Sequence, residues 1–373
     1  MKGKTLFISL AAAMVFFSGS LVAARAEAPA QGMSASRQGD AAAAVIQNDK
    51  ASDSPKEEKL APIRKDALRE ADFAFSGISL GSSIEELKKI KGNPKKVIHG
   101  DVQDEYQWDD MAVTVNQALP AAYSARKDVR PERKGWKAGI DAMYVSGKAA
   151  VTARGIGIGS RRENVLRVYG KPEEVLWDGR KASFILRYGM NDKGLDFETK
   201  DNQVTSIKLY RQGKTKKASP KGYLDISQEG SLPESDFRLA GYTIGDSFKA
   251  HAFDTWIKKM TNAKEEIRYY KGYAVRVSIP QNIVEAYFLE GNHMLSRRGM
   301  TLGDSVSTVE LLYGKPGKLE LSSSGGNLRN AYIYFSPTKD KILIIYISQG
   351  KADGFIIAKN PQRQKSMASG GKK

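Results

Sequence analysis

The stretch Arg154–Pro172, RGIGIGSRRENVLRVYGKP, decides the reading of the fold, because it returns as RGMTLGDSVSTVELLYGKP at Arg298–Pro316, 144 residues on and without a gap. Its frame is glycine, three residues, glycine, ten residues, glycine, one residue, proline, and Gly77, Gly81, Gly92 and Pro94 fit it 78 residues earlier. A decayed version starts at Gly241 and Gly245. Ser160 with Glu163 three residues on spells a capping box, and Val165, Leu166 and Tyr169 then fall on one helical face. Gly170 suits the left-handed position that ends a helix, and Pro172 forbids continuation. In the first copy Ser82, Glu85, Ile84, Leu87, Ile90, Gly92 and Pro94 take the same parts. The middle glycine, Gly157, becomes Ser79, Thr243 and Thr301 elsewhere while the outer two persist, which reads as turn geometry rather than a phosphate cradle.

Working outward, each copy is followed by segments rich in aromatic and β-branched residues, the composition of half-buried strands. They run from Tyr106 to Trp108, Met111 to Val115 and Ile140 to Val145, then Ser183 to Tyr188, Leu195 to Thr199 and Val204 to Tyr210. In the third copy Phe248, Phe253, Trp256 and Ile257 predict a longer helix from Asp246 to Met260, without the Gly-x-Pro stop. The fourth copy closes with Ile342 to Ile347, apolar on both faces, and Phe355 to Ala358. The expected class is α+β: four helix-plus-antiparallel-strand modules arranged as two tandem pairs, each pair forming a sheet with helices packed on one face.

Lys2 and Lys4 before an apolar run, with Ala24-Arg25-Ala26 at its end, read as a cleaved export signal over 1–26; an uncleaved membrane anchor is the alternative. Residues 27–66 are Ala, Ser, Gln, Lys, Glu and Pro with almost no aromatic or β-branched residues, the composition of a flexible leader. The module pairs span 67–211 and 237–360, joined by a basic linker over 212–236, and a basic tail occupies 361–373. Cysteine is absent, which excludes an acylated amino-terminal Cys, disulfides, thiolate metal sites and a Cys nucleophile. The formal charge is +17; without Lys2, Lys4 and Arg25 it is 56 − 42 = +14, a balance that favours anionic partners over cationic ones.

The motif G-x-x-[IL]-G, helix, Y-G-K-P, followed by strands ending in DNQVTSIKLY, resembles the helix-plus-sheet module of the β-lactamase-inhibitory-protein-like superfamily and of the small outer-membrane assembly lipoproteins. The resemblance covers Phe73 to about Ala358. It implies paired modules that build a curved sheet with helices on one side. It carries over no functional residue, and the missing cysteine departs from both the lipid anchor and the disulfides of those relatives.

His99, His251 and His293 stand in different modules without metal-ligand spacing, so no metal site, cofactor or Ser-His-Asp triad is signalled. Asp109 with Asp110 and Asp196 with Glu198 are carboxylate pairs of the kind that do acid-base work, or else lie on a solvated strand face. Between Gln117 and Gly139 an insertion sets Arg126, Lys127, Arg130, Arg133, Lys134 and Lys137 around Trp136, a pattern that grips an anionic polymer or a membrane surface, or forms a plain solvated loop. Tyr106 with Trp108 and Tyr332 with Tyr334 are same-face aromatic pairs that either present a recognition surface or pack between modules. Together these readings point to a periplasmic or secreted, non-enzymatic binding protein. Its expected partner is an envelope protein or an anionic envelope polymer, with peripheral membrane contact allowed, no specific nucleic acid and no transmembrane segment after signal cleavage. An inhibitor of a secreted enzyme and a carboxylate-dependent envelope hydrolase are the alternatives.

Overall fold

The computed structural model describes residues 60–64, 66–100, 103–117, 138–148, 150–178, 181–211, 230–249, 257–291, 293–324 and 327–361. Leu60–Ser322 and Leu328–Lys373 cluster as one compact unit. Two short hairpins, β1 (Ala74–Phe75) with β2 (Ile78–Ser79) and β11 (Arg238–Leu239) with β12 (Tyr242–Thr243), stand apart from two large sheets. The first large sheet holds β3 (Lys96–His99), β4 (Gln103–Gln107), β5 (Met111–Asn116), β6 (Gly139–Val145), β7 (Glu174–Asp178), β8 (Ser183–Met190), β9 (Lys193–Lys200) and β10 (Gln203–Arg211). The second holds β13 (Lys258–Thr261), β14 (Glu265–Tyr270), β15 (Tyr273–Ser278), β16 (Val284–Leu289), β17 (Lys318–Ser324), β18 (Asn327–Phe335), β19 (Lys341–Ser348) and β20 (Lys351–Lys359). Their orders match: β3-β4-β5-β6-β10-β9-β8-β7 and β13-β14-β15-β16-β20-β19-β18-β17.

Strand accounts for 49% and helix for 13%, so the fold is mostly β, and the expected α+β class of four helix-plus-strand modules is overturned. Three α-helices stand among the described residues, α1 (Ile84–Lys91), α2 (Arg162–Tyr169) and α3 (Val306–Tyr313), each of eight residues. The helix signals are strong but short, whereas the alternating segments between them pair into continuous sheets. Hydrogen bonding across β6–β10 and β16–β20 makes the eight-stranded sheet the structural unit. In the third copy the end of the expected helix is strand: Lys258–Thr261 pairs with Glu266 to Tyr269, and residues 250–256 of that helix lie outside the described residues. Pairing with a neighbour overrides a local helical period.

The outer glycines of the repeated frame sit in the left-handed region in every copy, for instance Gly155 at φ 81° and Gly159 at φ 89°, so the frame is a turn. Helix capping departs from the expected residues. The first helix is capped by Ser83 and Glu86, one residue on from Ser82 and Glu85, with Ser83 N donating to Glu86 at 2.9 Å. In the second copy Arg161 holds the N-cap without a side-chain bond, because Ser160 accepts from Gly157 N and Glu163 is engaged elsewhere.

Inner faces of both sheets share one core. Tyr169, Leu186, Phe197, Ile207 and Leu209 lie in it beside Val309, Tyr334, Leu343, Ile345 and Phe355. The halves meet where α2 and α3 pack. Arg162, 1% exposed, donates to the Gly299 carbonyl and forms an ion pair with Asp304. Glu163 leaves its own helix to accept from Ser305 N at 2.9 Å, Ser305 Oγ at 2.6 Å and Thr308 Oγ1 at 2.8 Å, so it caps α3 instead. Burial works to raise the Glu163 carboxyl, but these donors outweigh it and hold it below the usual carboxylate range. Gly299 sits at φ 82°, where an L side chain is strained, and a Cβ there would also press on Leu166 at 3.0 Å.

Candidate functional site

The basic insertion residues Arg126, Lys127, Arg130, Arg133, Lys134, Trp136 and Lys137, like His251 and most of the expected leader, linker and tail, lie outside the described residues. The described end of the expected leader runs along α2. Ala61 N donates to Asn164 at 2.8 Å, and Arg64 N donates to the Arg167 carbonyl at 2.9 Å.

The four aromatic candidates occupy the inner face. Tyr106 is 9% exposed under Lys88 of α1, whose ammonium lies 5.3 Å from the ring centre. Trp108 donates its indole N–H to the Gly92 carbonyl at 3.1 Å. Tyr334 is fully buried with its hydroxyl on the Gly314 carbonyl at 3.0 Å, the carbonyl that ends α3, and Tyr332 donates to Glu310 on the same helix at 3.1 Å. Tyr332 and Tyr334 share one face of β18 and Ala331 and Ile333 the other; the tyrosines turn toward the helix because their hydroxyls find oxygens there. These side chains therefore brace the scaffold.

The outer face of the first sheet is built differently. Register places Tyr144 beside Lys208, Lys208 beside Asp196, Asp196 beside Arg187 and Arg187 beside Glu174, one row crossing β6, β10, β9, β8 and β7. Arg187 grips Asp196 through two parallel bonds, Nε to Oδ1 and Nη2 to Oδ2, both 3.0 Å, and reaches Glu174 at 3.2 Å. The fork matches the planar carboxylate, and the bond to Asp196 raises the guanidinium further above its ordinary value. Tyr210 donates to Asp196 at 3.2 Å, and burial together with the Asp196 charge pushes the phenol up to about 12. Lys208 lies 5.0 Å from the Tyr210 ring centre, and Tyr144 is 39% exposed. One row over, Glu198 accepts from Ser206 at 2.7 Å, Ser183 at 2.8 Å and Lys181 at 3.0 Å. Burial works to raise this carboxyl, but Ser206, Lys181 and Ser183 together hold it below the usual range.

The carboxylate pairs named as acid-base candidates are thus engaged. Asp196 and Glu198 are held as just described, Asp110 pairs with Lys91 at 2.6 Å and Asp109 with Lys95 at 2.6 Å. A carboxylate closed in by cations and hydroxyls, as Asp196 and Glu198 are, is poorly placed to shuttle a proton, whereas Asp109 pairs with Lys95 at the open surface. His99 faces Asp104 at 3.1 Å on the surface. Among the described residues no group of three His, Asp or Glu is placed to hold a metal ion, and no helix is long and apolar enough to cross a membrane.

Two buried clamps escaped the sequence reading. Arg154 bonds Asp72 at 2.6 Å and the Val168 carbonyl at 2.8 Å; Arg298 bonds Asp236 at 2.5 Å and the Leu312 carbonyl at 2.5 Å. Each guanidinium also lies over a tyrosine, Tyr169 at 5.4 Å and Tyr313 at 5.3 Å. The signal was present: Arg precedes the first glycine of both long repeats, and Asp-Phe stands five residues before Gly77 and before Gly241.

No family model matches this chain, and no curated protein does. Similar solved structures include a DUF4309 family protein (YjgB) from Bacillus subtilis subsp. subtilis str. 168, 16% identical, covering 37% of this chain and 84% of that one at a TM-score of 0.23. A cysteine-rich secretory protein (SAV1118) from Staphylococcus aureus subsp. aureus Mu50 is 11% identical, with 41% and 48% covered and a TM-score of 0.25. An extracellular protein containing a SCP domain from Bacillus anthracis str. Ames is 8% identical, with 79% and 99% covered and a TM-score of 0.26. At these TM-scores none of the three bears on the fold or the function of this chain.

Proposed function

We propose that this chain is an exported, non-enzymatic binding protein of the cell envelope, and that it holds its partner on the outer face of the first sheet. The observation that carries the reading is the cross-strand row Tyr144, Lys208, Asp196, Arg187 and Glu174, a fixed pattern of aromatic, cationic and anionic groups laid on rigid strands. Such a row has its donors and acceptors oriented before a partner arrives, which lowers the ordering cost of association. Its carboxylates are engaged by Arg187, Tyr210, Lys181 and serines, an arrangement suited to recognition more than to turnover. The apolar amino-terminal run with Ala24-Arg25-Ala26 supports export, and the basic insertion around Trp136 supplies a second contact for an anionic envelope component.

Retention of the purified chain on envelope fractions washed at rising salt tests this. Wild type is expected to be retained, and Tyr144→Ala combined with Lys208→Ala to lower the retained fraction several-fold, with circular dichroism unchanged. Lack of retention by wild type, or equal retention of the double variant, sinks the reading.

A further inference from the structure

The second sheet ends on an edge unlike that of the first. β17 is the last strand of its sheet, and Leu319 and Leu321, on one face of it, are 60% and 76% exposed. Leu328, on the neighbouring strand β18, is 71% exposed. Lys318 and Glu320 share the opposite face of β17 and form an ion pair along the strand. The Gly317 amide bonds the Ile333 carbonyl at 2.9 Å, as the Glu173 amide bonds that of Arg187. The matching edge of the first sheet, β7, is partly guarded: Glu174 is tied to Arg187, and the Trp177 ring, 54% exposed, packs on Phe184 at 4.7 Å. Charged and covered edges keep sheets from pairing; an edge strand with exposed leucines invites it.

We propose that β17 is the contact through which two copies of this chain join, edge to edge and antiparallel about a two-fold axis. A two-fold contact must be complementary to itself, and Gly317–Leu321 meets that condition in one register. With the axis at Leu319, Lys318 faces Glu320 of the partner subunit, and the reverse pair forms on the other side. Leu319 then meets Leu319 of the partner subunit, and Leu321 lies over Gly317 of the partner subunit, where no side chain opposes it. On one face two opposite charges meet two others; on the other face exposed leucines leave water. Backbone amides and carbonyls along the edge pair as in any antiparallel ladder. Five residues a side bury less than the roughly 1,200–2,000 Å² of a stable complex, so the dimer belongs to the weak, concentration-dependent class.

The absence of cysteine makes the test direct. Residues directly opposite in an antiparallel pair have Cβ atoms about 4.5–5.5 Å apart, within reach of a disulfide after a small shift. Under mild oxidation the full-length Leu319→Cys chain is expected to crosslink to a dimer, whereas Trp177→Cys on the guarded edge stays monomeric. In sedimentation equilibrium wild type is expected to gain mass with concentration. Glu320→Lys, which sets like charges face to face, weakens association about tenfold or more, and adding Lys318→Glu to it restores association. A wild type that sediments as a monomer throughout, equal crosslinking of the two cysteine variants, or a double variant no better than the single one overturns the proposal.

Discussion

Tyr144, Lys208, Asp196 and Arg187 cross the first sheet at the same register as Phe288, Ile356, Ile344 and Ile333 cross the second. Strand order is the same on both sides of the comparison, yet one row is polar, with Arg187 paired to Asp196, and the other is apolar, with Ile344 4% and Ile333 8% exposed. Ala274, Ala286 and Phe288 form a separate apolar cluster on that second outer face. The inner faces do not diverge in this way: Leu195 and Leu343 pair with Tyr188 and Tyr334, and each tyrosine caps the last carbonyl of a helix. Inner faces therefore set the topology, since they must pack against each other, and the outer faces are free to be spent on recognition or on further burial. A shared frame thus carries two central rows of opposite chemistry.

The sharpest way to break this comparison is to give the second row the chemistry of the first. Ile344→Asp places a carboxylate where the neighbours are Ile356 and Ile333, without the arginine fork that Asp196 enjoys. An unpaired buried charge costs about 3–5 kcal/mol, a large fraction of the stability of most domains. A urea midpoint that falls steeply is the expected result. A midpoint near wild type would show that the second row is not an apolar interior.

The clamps sharpen the comparison from the side where the halves agree. Asp236→Asn leaves Arg298 with one neutral partner in place of its carboxylate, at a cost of about 3 kcal/mol by the same reasoning. Asp72→Asn is expected to cost less, because Arg154 keeps Asp66 at 3.2 Å and the Ala67 carbonyl at 2.9 Å. Paired denaturant melts of the two variants decide it, and the reverse order of losses would mean that Asp66 does not support the first clamp.

How much of this was legible follows from which signals are local. Leu195 to Thr199 could be read from alternation, Ile342 to Ile347 from β-branched residues on both faces, and the paired glycines from their spacing. What alternation cannot say is which face turns inward. Alternation puts Tyr332 and Tyr334 on one face, open to recognition or to packing between modules, and only the distant carbonyl of Gly314 and carboxylate of Glu310 explain why they turn to the helix. The class was misjudged for a related reason. Capping serines and Gly-x-Pro stops are loud over eight residues, while the pairing that joins β6 to β10 and β16 to β20 has no signature in either strand alone. The candidate row escaped for the same cause: Tyr144, Lys208 and Arg187 are far apart in sequence and meet only through register.

The smallest expected effect separates the two outer faces by pH. Glu198 is held below the usual carboxylate range by Ser206, Lys181 and Ser183, and its counterpart position in the second sheet is Tyr346, which carries no carboxylate. A depressed folded-state value means that the group stabilises the fold above the unfolded carboxylate pKa, and that this contribution is lost as pH falls through the folded value. Glu198→Gln removes the titration. The variant is expected to be somewhat less stable than wild type at neutral pH, and the gap should close on acidification as wild type loses its own contribution. Thermal melts of both proteins from neutral pH down through the carboxylate range check the sign. A gap that stays constant or widens toward acid would mean that the first outer face gains nothing from the Glu198 charge. Its likeness to the second face, where Tyr346 carries no carboxylate at this position, would then be closer than the hydrogen bonds imply.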